Sequence, residues 1–418
     1  MSLYAVASDN GHNEQVVVHG VRYAEGPEES KCGSIEITAG YISRILRCSA
    51  LSLEAKSDSI GIDLSGFLVM PGLINAHDHL EFALFPRLAN PPYRNYIEWG
   101  EDIHEKFPDV IAKHRAVPKN LRVWWGGIRN LLCGATTVSH HNPLWPEMQR
   151  DDFPVRVVQQ YSWAHSPALG GDLRAAHAAT RESSPFIVHA CEGVDELARK
   201  ELWSLNRSGL LDARTVIVHG LAIDTAGVEL MRKRRVSLIV CPSSNNFLFG
   251  ELPDMALLGG LENVGLGNDS PLTAEGDLLD EIRFAMRSCG IESHTAYHMV
   301  TKFPAAILKL KDGEGTIKVS GVGDLIAIKD NGGNAADRLR TLSMTDVEFV
   351  MIKGCVQLAS EVILERLSPH TKQGLEPLCI DGTIRWLRAP IKERLQKTKE
   401  ALGTSEIYLG SRQVSTPV

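Results

Sequence analysis

The sequence predicts an α/β protein built on a (β/α)8 barrel, together with a small β-rich domain to which both chain ends contribute. Two observations carry this prediction. Through the centre of the chain, apolar β-branched runs alternate with helix-like segments, and the later runs recur at about the length of one βα unit. Near both ends lie short alternating strands punctuated by glycine. A doubly wound parallel sheet is the second choice for the central region.

The first element is a set of short strand patterns in residues 16–66, with matching patterns in residues 315–330 and 346–358. Because the segments flank the alternating region, we expect them to fold together around a central insertion. The predicted division has a β part, the barrel, a second β part and a C-terminal extension of unclear role, at residues 1–66, 67–315, 316–360 and 361–418. Within the extension, the stretch "RAPIKERLQKTKEALG" predicts a helix on the surface or at a subunit contact.

The central strands read as nearly continuous apolar runs, which is typical of a parallel sheet buried on both faces. Seven are clear, at residues 73–79, 136–141, 155–162, 186–191, 215–220, 236–242 and 264–269. A barrel of this class needs one more strand. The short interval between residues 162 and 186 must therefore hold an abbreviated unit or a degenerate strand.

Composition excludes several classes of partner. The net charge is −7 and basic runs are short, so we expect no nucleic-acid binding. No apolar run reaches the ~18 residues that cross a bilayer, and the N-terminus lacks a signal-peptide pattern, so we expect no membrane partner. The eight cysteines are scattered without a CxxC pair. They predict reduced thiols in a cytoplasmic protein rather than disulfides or a zinc knuckle.

Histidine or aspartate follows most of the predicted barrel strands. These residues are His77 and His79, His140 and His141, His189, His219, and Asp269. One histidine at a strand end is ordinarily a hydrogen-bonded structural residue. A barrel, however, brings the carboxyl ends of its strands together around one axis, so we expect these side chains to converge on one cavity.

The spacing of the first pair predicts a metal site. Residues i and i+2 of a strand point to the same face, so His77 and His79 can bind one ion while Asp78 points away. With His189 and Asp269 they supply three nitrogens and one oxygen. This donor set suits Zn2+, with Fe2+ as the competitor. Such an ion lowers the pKa of bound water from 15.7 towards ~7 and so supplies hydroxide at neutral pH.

Other polar residues are candidates for catalysis and substrate binding. Glu192, three residues beyond His189, can shuttle protons to a leaving nitrogen, and His219 can orient the water or polarise the substrate. The alternatives are a helix N-terminal glutamate and a structural histidine. Predicted substrate contacts are His141 or His140, His165, Asn245 at the end of a predicted strand, and Trp99 in the loop that follows the first strand. Packing alone is the competing interpretation for each of them.

These residues lie in motifs that resemble the amidohydrolase superfamily, within its cytosine-deaminase-like and triazine-hydrolase branch. The matching segments are "GFLVMPGLINAHDH" (66–79), "GATTV" (134–138), "IVHACEG" (187–193), "VIVHG" (216–220), "CPSSNNFLFG" (241–250) and "VGLGNDSPL" (264–272). The resemblance implies a distorted (β/α)8 TIM barrel with a β-sandwich built from both chain ends. It also implies a small-molecule substrate and a possible homodimer.

The resemblance implies one divalent metal held by His77, His79, His189 and Asp269. It assigns proton transfer to Glu192 and a contact with water or substrate to His219, and it makes Asp269 the acceptor of a proton from the attacking water. "VRVVQQYSWAH" lacks the lysine of binuclear relatives, which favours a single ion. Two departures are the aspartate between the paired histidines and the shortened segment at residues 155–189.

The leading functional hypothesis is therefore a hydrolase acting on carbon–nitrogen bonds other than peptide bonds, which deaminates an aminated heterocycle by means of metal-bound hydroxide. Hydrolysis of a cyclic amide at the same metal site is the alternative enzyme. A catalytically inactive barrel scaffold is the alternative from another class. It predicts missing ligands or a missing proton shuttle, and the sequence contains all of them.

Overall fold

The computed structural model describes residues 15–47, 59–274 and 276–417; the N-terminal segment read for a leader and Cys48 lie outside the described residues. The strands are β1 Gln15–Ala24, β2 Ser30–Thr38, β3 Tyr41–Arg47, β4 Ser59–Asp63, β5 Phe67–Pro71, β6 Leu73–Asp78, β7 Ala135–His140, β8 Arg156–Val157, β9 Ser162–Ala164, β10 Phe186–Ala190, β11 Thr215–His219, β12 Ser237–Val240, β13 Val264–Leu266, β14 Leu325–Lys329, β15 Val347–Ile352, β16 Cys355–Ala359, β17 Glu376–Ile380, β18 Thr383–Leu387, β19 Ile407–Leu409 and β20 Arg412–Ser415.

The helices lie mainly between the barrel strands and after them. They are α1 Tyr96–Lys106, α2 Pro108–Arg115, α3 Lys119–Leu132, α4 Leu173–Ala179, α5 Glu196–Arg207, α6 Thr225–Arg234, α7 Pro242–Phe249, α8 Met255–Leu258, α9 Leu278–Ser288, α10 Ser293–Met299, α11 Lys302–Ile307, α12 Ala335–Leu339, α13 Glu361–Arg366, α14 Pro369–Lys372 and α15 Ile391–Leu402. In the part of the chain that the structure describes, none of these helices is both long enough and apolar enough to cross a membrane.

The barrel is an α/β structure made of two parallel sheets, which confirms the predicted fold class. One sheet has the order β13-β12-β11-β10-β9, and the other has the order β6-β7-β8. They meet at a parallel bridge between Asp78 and Asp269, where the Asp269 amide donates to the His77 carbonyl at 3.1 Å. Gly267 allows this close approach, because a Cβ there would lie 2.5 Å from the His77 Cβ.

The strand that the sequence left unplaced is β9. The predicted single strand at residues 155–162 is wrong in its extent: β8 has two residues, and a turn separates it from the three residues of β9. β9 pairs with β10, opposite Phe186, Ile187 and Val188. Strands this short give no measurable periodicity, which is why the pattern of residues merged β8 with the turn that follows it.

A twelve-stranded sheet joins both ends of the chain. Its order is β19-β20-β17-β18-β16-β15-β14-β5-β1-β2-β3, and β4 pairs with β1. The central join is β5, which pairs with β1 on one side and, on the other, with β14, a strand more than 200 residues further along the chain. The strands β17 to β20 belong to this sheet, so most of the C-terminal extension has a place in the fold. The division at residues 66, 315 and 360 stays a prediction.

The predicted C-terminal helix is confirmed as α15. Its buried side chains include Leu395 and Thr398, and the Thr398 hydroxyl accepts a hydrogen bond from the Trp125 indole N–H at 2.7 Å. Trp125 lies in α3 and is fully buried. The helix is therefore fastened to the barrel by a buried polar contact.

Replacing Thr398 by valine tests that contact. Valine keeps the shape of threonine but leaves the buried Trp125 N–H without an acceptor, so we expect the free energy of unfolding to fall by about 1–3 kcal/mol. Urea unfolding of both proteins measures the change. The matched control is Thr225→Val, at an exposed position at the start of α6, which should leave the unfolding midpoint unchanged.

Candidate metal centre and active site

The paired histidines stand at the end of β6, where the intervening Asp78 anchors the strand from behind. The Asp78 carboxylate pairs with Arg129 at 2.6 Å and accepts a hydrogen bond from Asn130 at 2.6 Å. Asp78 and Arg129 are both almost completely inaccessible to solvent. The predicted outward direction of Asp78 agrees with these contacts, and the ion pair fixes the backbone that carries His77 and His79.

The four predicted ligands converge on one point. The Nε2 atoms of His77 and His189 lie 3.1 Å apart. The Asp269 Oδ1 atom is 3.7 Å from His77 Nε2 and 3.5 Å from His79 Nε2. All four side chains are buried. Their donor atoms come from three strand ends. Those of His77, His79 and Asp269 all lie within 4.8 Å of one another, and His189 adjoins them through its contact with His77.

Asp269 is oriented by two hydroxyl groups. Its Oδ2 atom accepts hydrogen bonds from Ser244 at 2.8 Å and from Thr273 at 3.0 Å. Oδ1 is thereby directed towards the histidines. Neither Ser244 nor Thr273 was predicted as a site residue, although Ser244 lies within the motif at residues 241–250 and Thr273 directly follows the motif at residues 264–272.

Glu192 and His219 form the second part of the site. The Glu192 Oε2 atom is 3.7 Å from His219 Nε2, and both residues are buried. Burial raises the pKa of Glu192 to about 7, against the lowering effect of His219 and with a smaller raising effect of Asp269. A carboxyl with this pKa exchanges protons readily near neutral pH.

Asn245 stands behind His219 and not at a strand end. It lies in α7, and its Oδ1 atom is 3.0 Å from His219 Nδ1. An amide oxygen only accepts hydrogen bonds, so this contact places the proton on Nδ1 and leaves Nε2 with a lone pair facing Glu192. The predicted position of Asn245 at the end of a strand is wrong; its predicted contact with substrate stays a prediction.

A further aromatic group lies beside the cluster. The His141 ring is 4.0 Å from the His189 ring, centre to centre, and Trp163 lies 5.4 Å from His141 and 5.3 Å from His165. Both ring nitrogens of His141 lack a hydrogen-bond partner although the side chain is fully buried. His165 is exposed. Sequence reasoning missed Trp163, although its place two residues before His165 put it on the same face.

His140 points away from the cluster, as strand alternation requires when His141 points towards it. Its Nε2 atom is 3.6 Å from the buried carboxylate of Glu81, which also lies 3.3 Å from the Lys119 ammonium. Asn142 lies between this group and the ligands, 3.1 Å from Glu81 Oε1 and 3.3 Å from His79 Nδ1. These side chains form a polar layer behind His79.

The loop that follows the first predicted barrel strand, residues 81–107, carries Trp99 and includes α1; we call it the lid. The Trp99 indole N–H donates to the Leu88 carbonyl at 2.9 Å, and its ring packs against two apolar clusters that contain Phe85 and Leu248. These contacts place Trp99 in the interior of the lid. A contact with substrate stays a prediction for this residue.

The imidazoles of His77, His141 and His189 are neutral. Burial, reinforced by the neighbouring histidines, holds the pKa of His77, His141 and His189 well below the usual range. Neutral imidazole is the form that binds a metal. Besides the group of His77, His79 and Asp269, two further groups bring donor atoms within 4.8 Å of one another: His77, His189 and His219, and His141, His165 and His189.

Left-handed backbone conformations occur at the strand ends that carry the site. The φ angles are +58° at Cys191, +74° at His219 and +54° at Asp269. Each costs of order 1–3 kcal/mol for a residue with a side chain, and such strain clusters where a function requires it. The strain coincides with the predicted catalytic residues.

The sequence of this chain is similar to those of known proteins. The sequence model described as "Amidohydrolase family" matches residues 164–357. A 5-methylthioadenosine/S-adenosylhomocysteine deaminase of Syntrophobacter fumaroxidans is 25% identical over 354 residues, which cover 71% of this chain and 80% of the relative. The enzyme of the same name from Haloarcula marismortui is 29% identical over 318 residues, covering 60% and 71%.

Solved structures share the fold. An adenosine deaminase from Xanthomonas campestris with bound zinc superimposes with a TM-score of 0.68 at 17% identity, covering 93% of this chain and 97% of that one. An atrazine chlorohydrolase from Arthrobacter aurescens, also in complex with zinc, gives a TM-score of 0.69 at 15% identity, covering 93% and 100%.

Proposed function

We propose that this chain, a member of the amidohydrolase superfamily, removes the exocyclic amino group of an aminopurine nucleoside and releases ammonia. The enzyme is a hydrolase of non-peptide carbon–nitrogen bonds, and it uses a divalent metal. The proposal adds the class of substrate and the roles of individual residues. The observation that carries it is the placing of Glu192 and His219 beside a cluster of converging metal-ligand atoms.

The donor atoms fit a zinc ion. Tetrahedral zinc with Zn–N distances of about 2.0–2.1 Å holds its ligand atoms about 3.3 Å apart. The distances of 3.1 Å between His77 and His189, 3.5 Å between His79 and Asp269, and 3.7 Å between His77 and Asp269 lie close to that value. We therefore assign these four residues as ligands of one Zn2+, with Fe2+ as the competitor.

When bound, the ion supplies Lewis-acid activation of water for attack on the ring carbon. The Asp269 carboxylate takes a proton from the water. Protonated Glu192 gives its proton to the ring nitrogen beside the reacting carbon, then takes the hydroxyl proton of that carbon and delivers it to the amino group. The proton on Asp269 returns to Glu192, which restores both carboxyl groups. A carbon–oxygen bond forms, the carbon–nitrogen bond breaks, and ammonia leaves. His219, held in one tautomer by Asn245, orients the water.

The purine class rests on the relatives and on the aromatic group. Both deaminases compared above are named for 5-methylthioadenosine and S-adenosylhomocysteine. His141, Trp163 and His165 offer flat surfaces beside the ligands, and aromatic rings stack on a flat heterocycle. Deaminase relatives do not favour the cyclic-amide alternative. A homodimer and a cytoplasmic location stay predictions of the sequence.

A screen of ammonia release tests the proposal. Purified protein loaded with Zn2+ or Fe2+ is assayed for ammonia release from 5′-methylthioadenosine, S-adenosylhomocysteine, adenosine, guanine, cytosine and an aminotriazine. Ring opening of dihydrouracil releases no ammonia, so its consumption is measured by chromatography. We expect the adenine nucleosides to give the highest kcat/KM. Highest turnover of the triazine or of guanine would contradict the nucleoside class, and turnover of dihydrouracil alone would contradict deamination.

A further inference from the structure

We propose that Tyr96 and Glu201 are positioning residues for the proton shuttle, and that they align Glu192 only when the lid is docked on the barrel. The inference rests on the proposed function, because it takes Glu192 as the group that moves protons. Both residues lie outside the metal centre, Tyr96 on helix α1 of the lid and Glu201 on α5.

Glu201 is a buried carboxylate that holds the backbone next to Glu192. It is 4% exposed, and its Oε2 atom accepts a hydrogen bond from the Cys191 amide at 2.7 Å. Its Oε1 atom accepts a second hydrogen bond from the Tyr96 hydroxyl, also at 2.7 Å. One side chain therefore connects α5, the lid and the turn that carries the shuttle.

The lid also meets that turn directly. The Tyr96 amide donates to the Glu192 carbonyl at 3.3 Å, and the Val194 amide donates to the Arg94 carbonyl at 2.8 Å. Asn95 and Gly193 form an antiparallel bridge between these two contacts. The start of α1 thus lies as a short strand along the residues that follow β10.

The turn needs this support because its own backbone is strained. Cys191 has a φ of +58° and Gly193 a φ of +149°, conformations that side-chain-bearing residues rarely adopt. Contact with the lid is close: a Cβ on Gly193 would lie 2.5 Å from the Arg94 carbonyl oxygen. Glu192 lies beyond the end of β10, so hydrogen bonds from the lid and from Glu201 hold this turn in place of strand pairing.

The Tyr96 side chain also contacts a third segment, the loop that follows β9. Its hydroxyl accepts a hydrogen bond from the Ala168 amide at 3.2 Å, in the loop that follows β9 and His165. Loss of lid docking would therefore release the Glu192 turn and the His165 loop together. Docking of the lid and alignment of the shuttle become one event, which restricts proton transfer to the closed state.

The test compares Glu201→Leu, Glu201→Gln and Tyr96→Phe with the wild type, using the nucleoside that the ammonia screen ranks highest. We expect Glu201→Leu to lower kcat by about 10- to 100-fold, the range for a displacement near 1 Å, with a smaller change in KM and an unchanged metal content. Glutamine keeps an acceptor for the Cys191 amide, so Glu201→Gln should restore most of kcat. Tyr96→Phe should lower kcat, and hydrogen exchange of residues 189–195 should accelerate in Tyr96→Phe and Glu201→Leu.

Glu314→Leu is the matched control, since Glu314 is another buried glutamate that accepts a backbone hydrogen bond, from Asp312 at 2.9 Å. It should keep wild-type kcat. The inference fails if Glu201→Leu keeps wild-type kcat, if Glu201→Gln is no better than Glu201→Leu, or if Glu314→Leu loses as much. The variant Glu192→Gln distinguishes failure of the proposed function from failure of the positioning role. Wild-type activity in Glu192→Gln would overturn the proposed function. An inactive Glu192→Gln together with a fully active Glu201→Leu would overturn only the positioning role.

Discussion

Replacing Glu192 by glutamine should lower kcat by about 10²–10⁴-fold, the usual contribution of a general acid–base group. Glutamine keeps the size of the side chain but cannot take up or deliver a proton. Burial raises the pKa of Glu192 to about 7, so in the wild type both protonation states are available at neutral pH. The KM and the metal content should change little, because Glu192 is not among the assigned ligands. Steady-state ammonia release and metal analysis measure these quantities.

The control is Glu196→Gln, four residues further along the chain and exposed at the start of α5. It removes the same charge from the same neighbourhood and should leave kcat unchanged. Wild-type kcat in Glu192→Gln would remove the proton shuttle from the proposed reaction. Loss of bound metal in that variant would instead make Glu192 part of the ligand set.

Replacing Arg129 by methionine should lower the free energy of unfolding by about 3–5 kcal/mol, because it leaves the Asp78 charge buried without a counter-charge. The two side chains are 2.6 Å apart and almost completely inaccessible. Since Asp78 lies between His77 and His79, we also expect weaker metal binding. Urea unfolding and the zinc content after dialysis measure the two effects.

The double variant Asp78→Asn, Arg129→Met is the control for that experiment. It removes both charges and keeps an acceptor for Asn130, so it should recover a large part of the lost stability. A single variant as stable as the wild type would show that the ion pair does not anchor β6. A double variant no more stable than the single one would show that lost packing, and not the unpaired charge, causes the effect.

The metal-ligand cluster was the most predictable part of the molecule. Two local features of the sequence carry this prediction: the spacing of His77 and His79, and the positions of His189 and Asp269 after apolar runs. The barrel topology then brings these strand ends together around one axis. The structure brings donor atoms of His77, His79 and Asp269 within 4.8 Å of one another, and the Nε2 atom of His189 lies 3.1 Å from that of His77. The same logic explains why His141 faces the cluster and its neighbour His140 does not.

What the sequence could not predict depends on contacts between distant segments. Trp163 lies in a strand too short for a pattern, and Asn245 follows β12 in a helix that begins at a proline. The role of Glu201 depends on a tyrosine 105 residues away in the chain. The strands β17 to β20 carry ordinary alternation, but only tertiary pairing places them at the edge of the large sheet.

Metal content measured together with ammonia release, for the wild type and His77→Ala, tests the metal-dependent mechanism most directly. The exposed His294 provides the control variant His294→Ala. We predict about one divalent ion per chain in the wild type and the control, with ammonia release from an adenine nucleoside. His77→Ala should lose both the ion and the activity. Undiminished ammonia release from His77→Ala, or from wild-type protein that holds no stoichiometric metal, would contradict the mechanism.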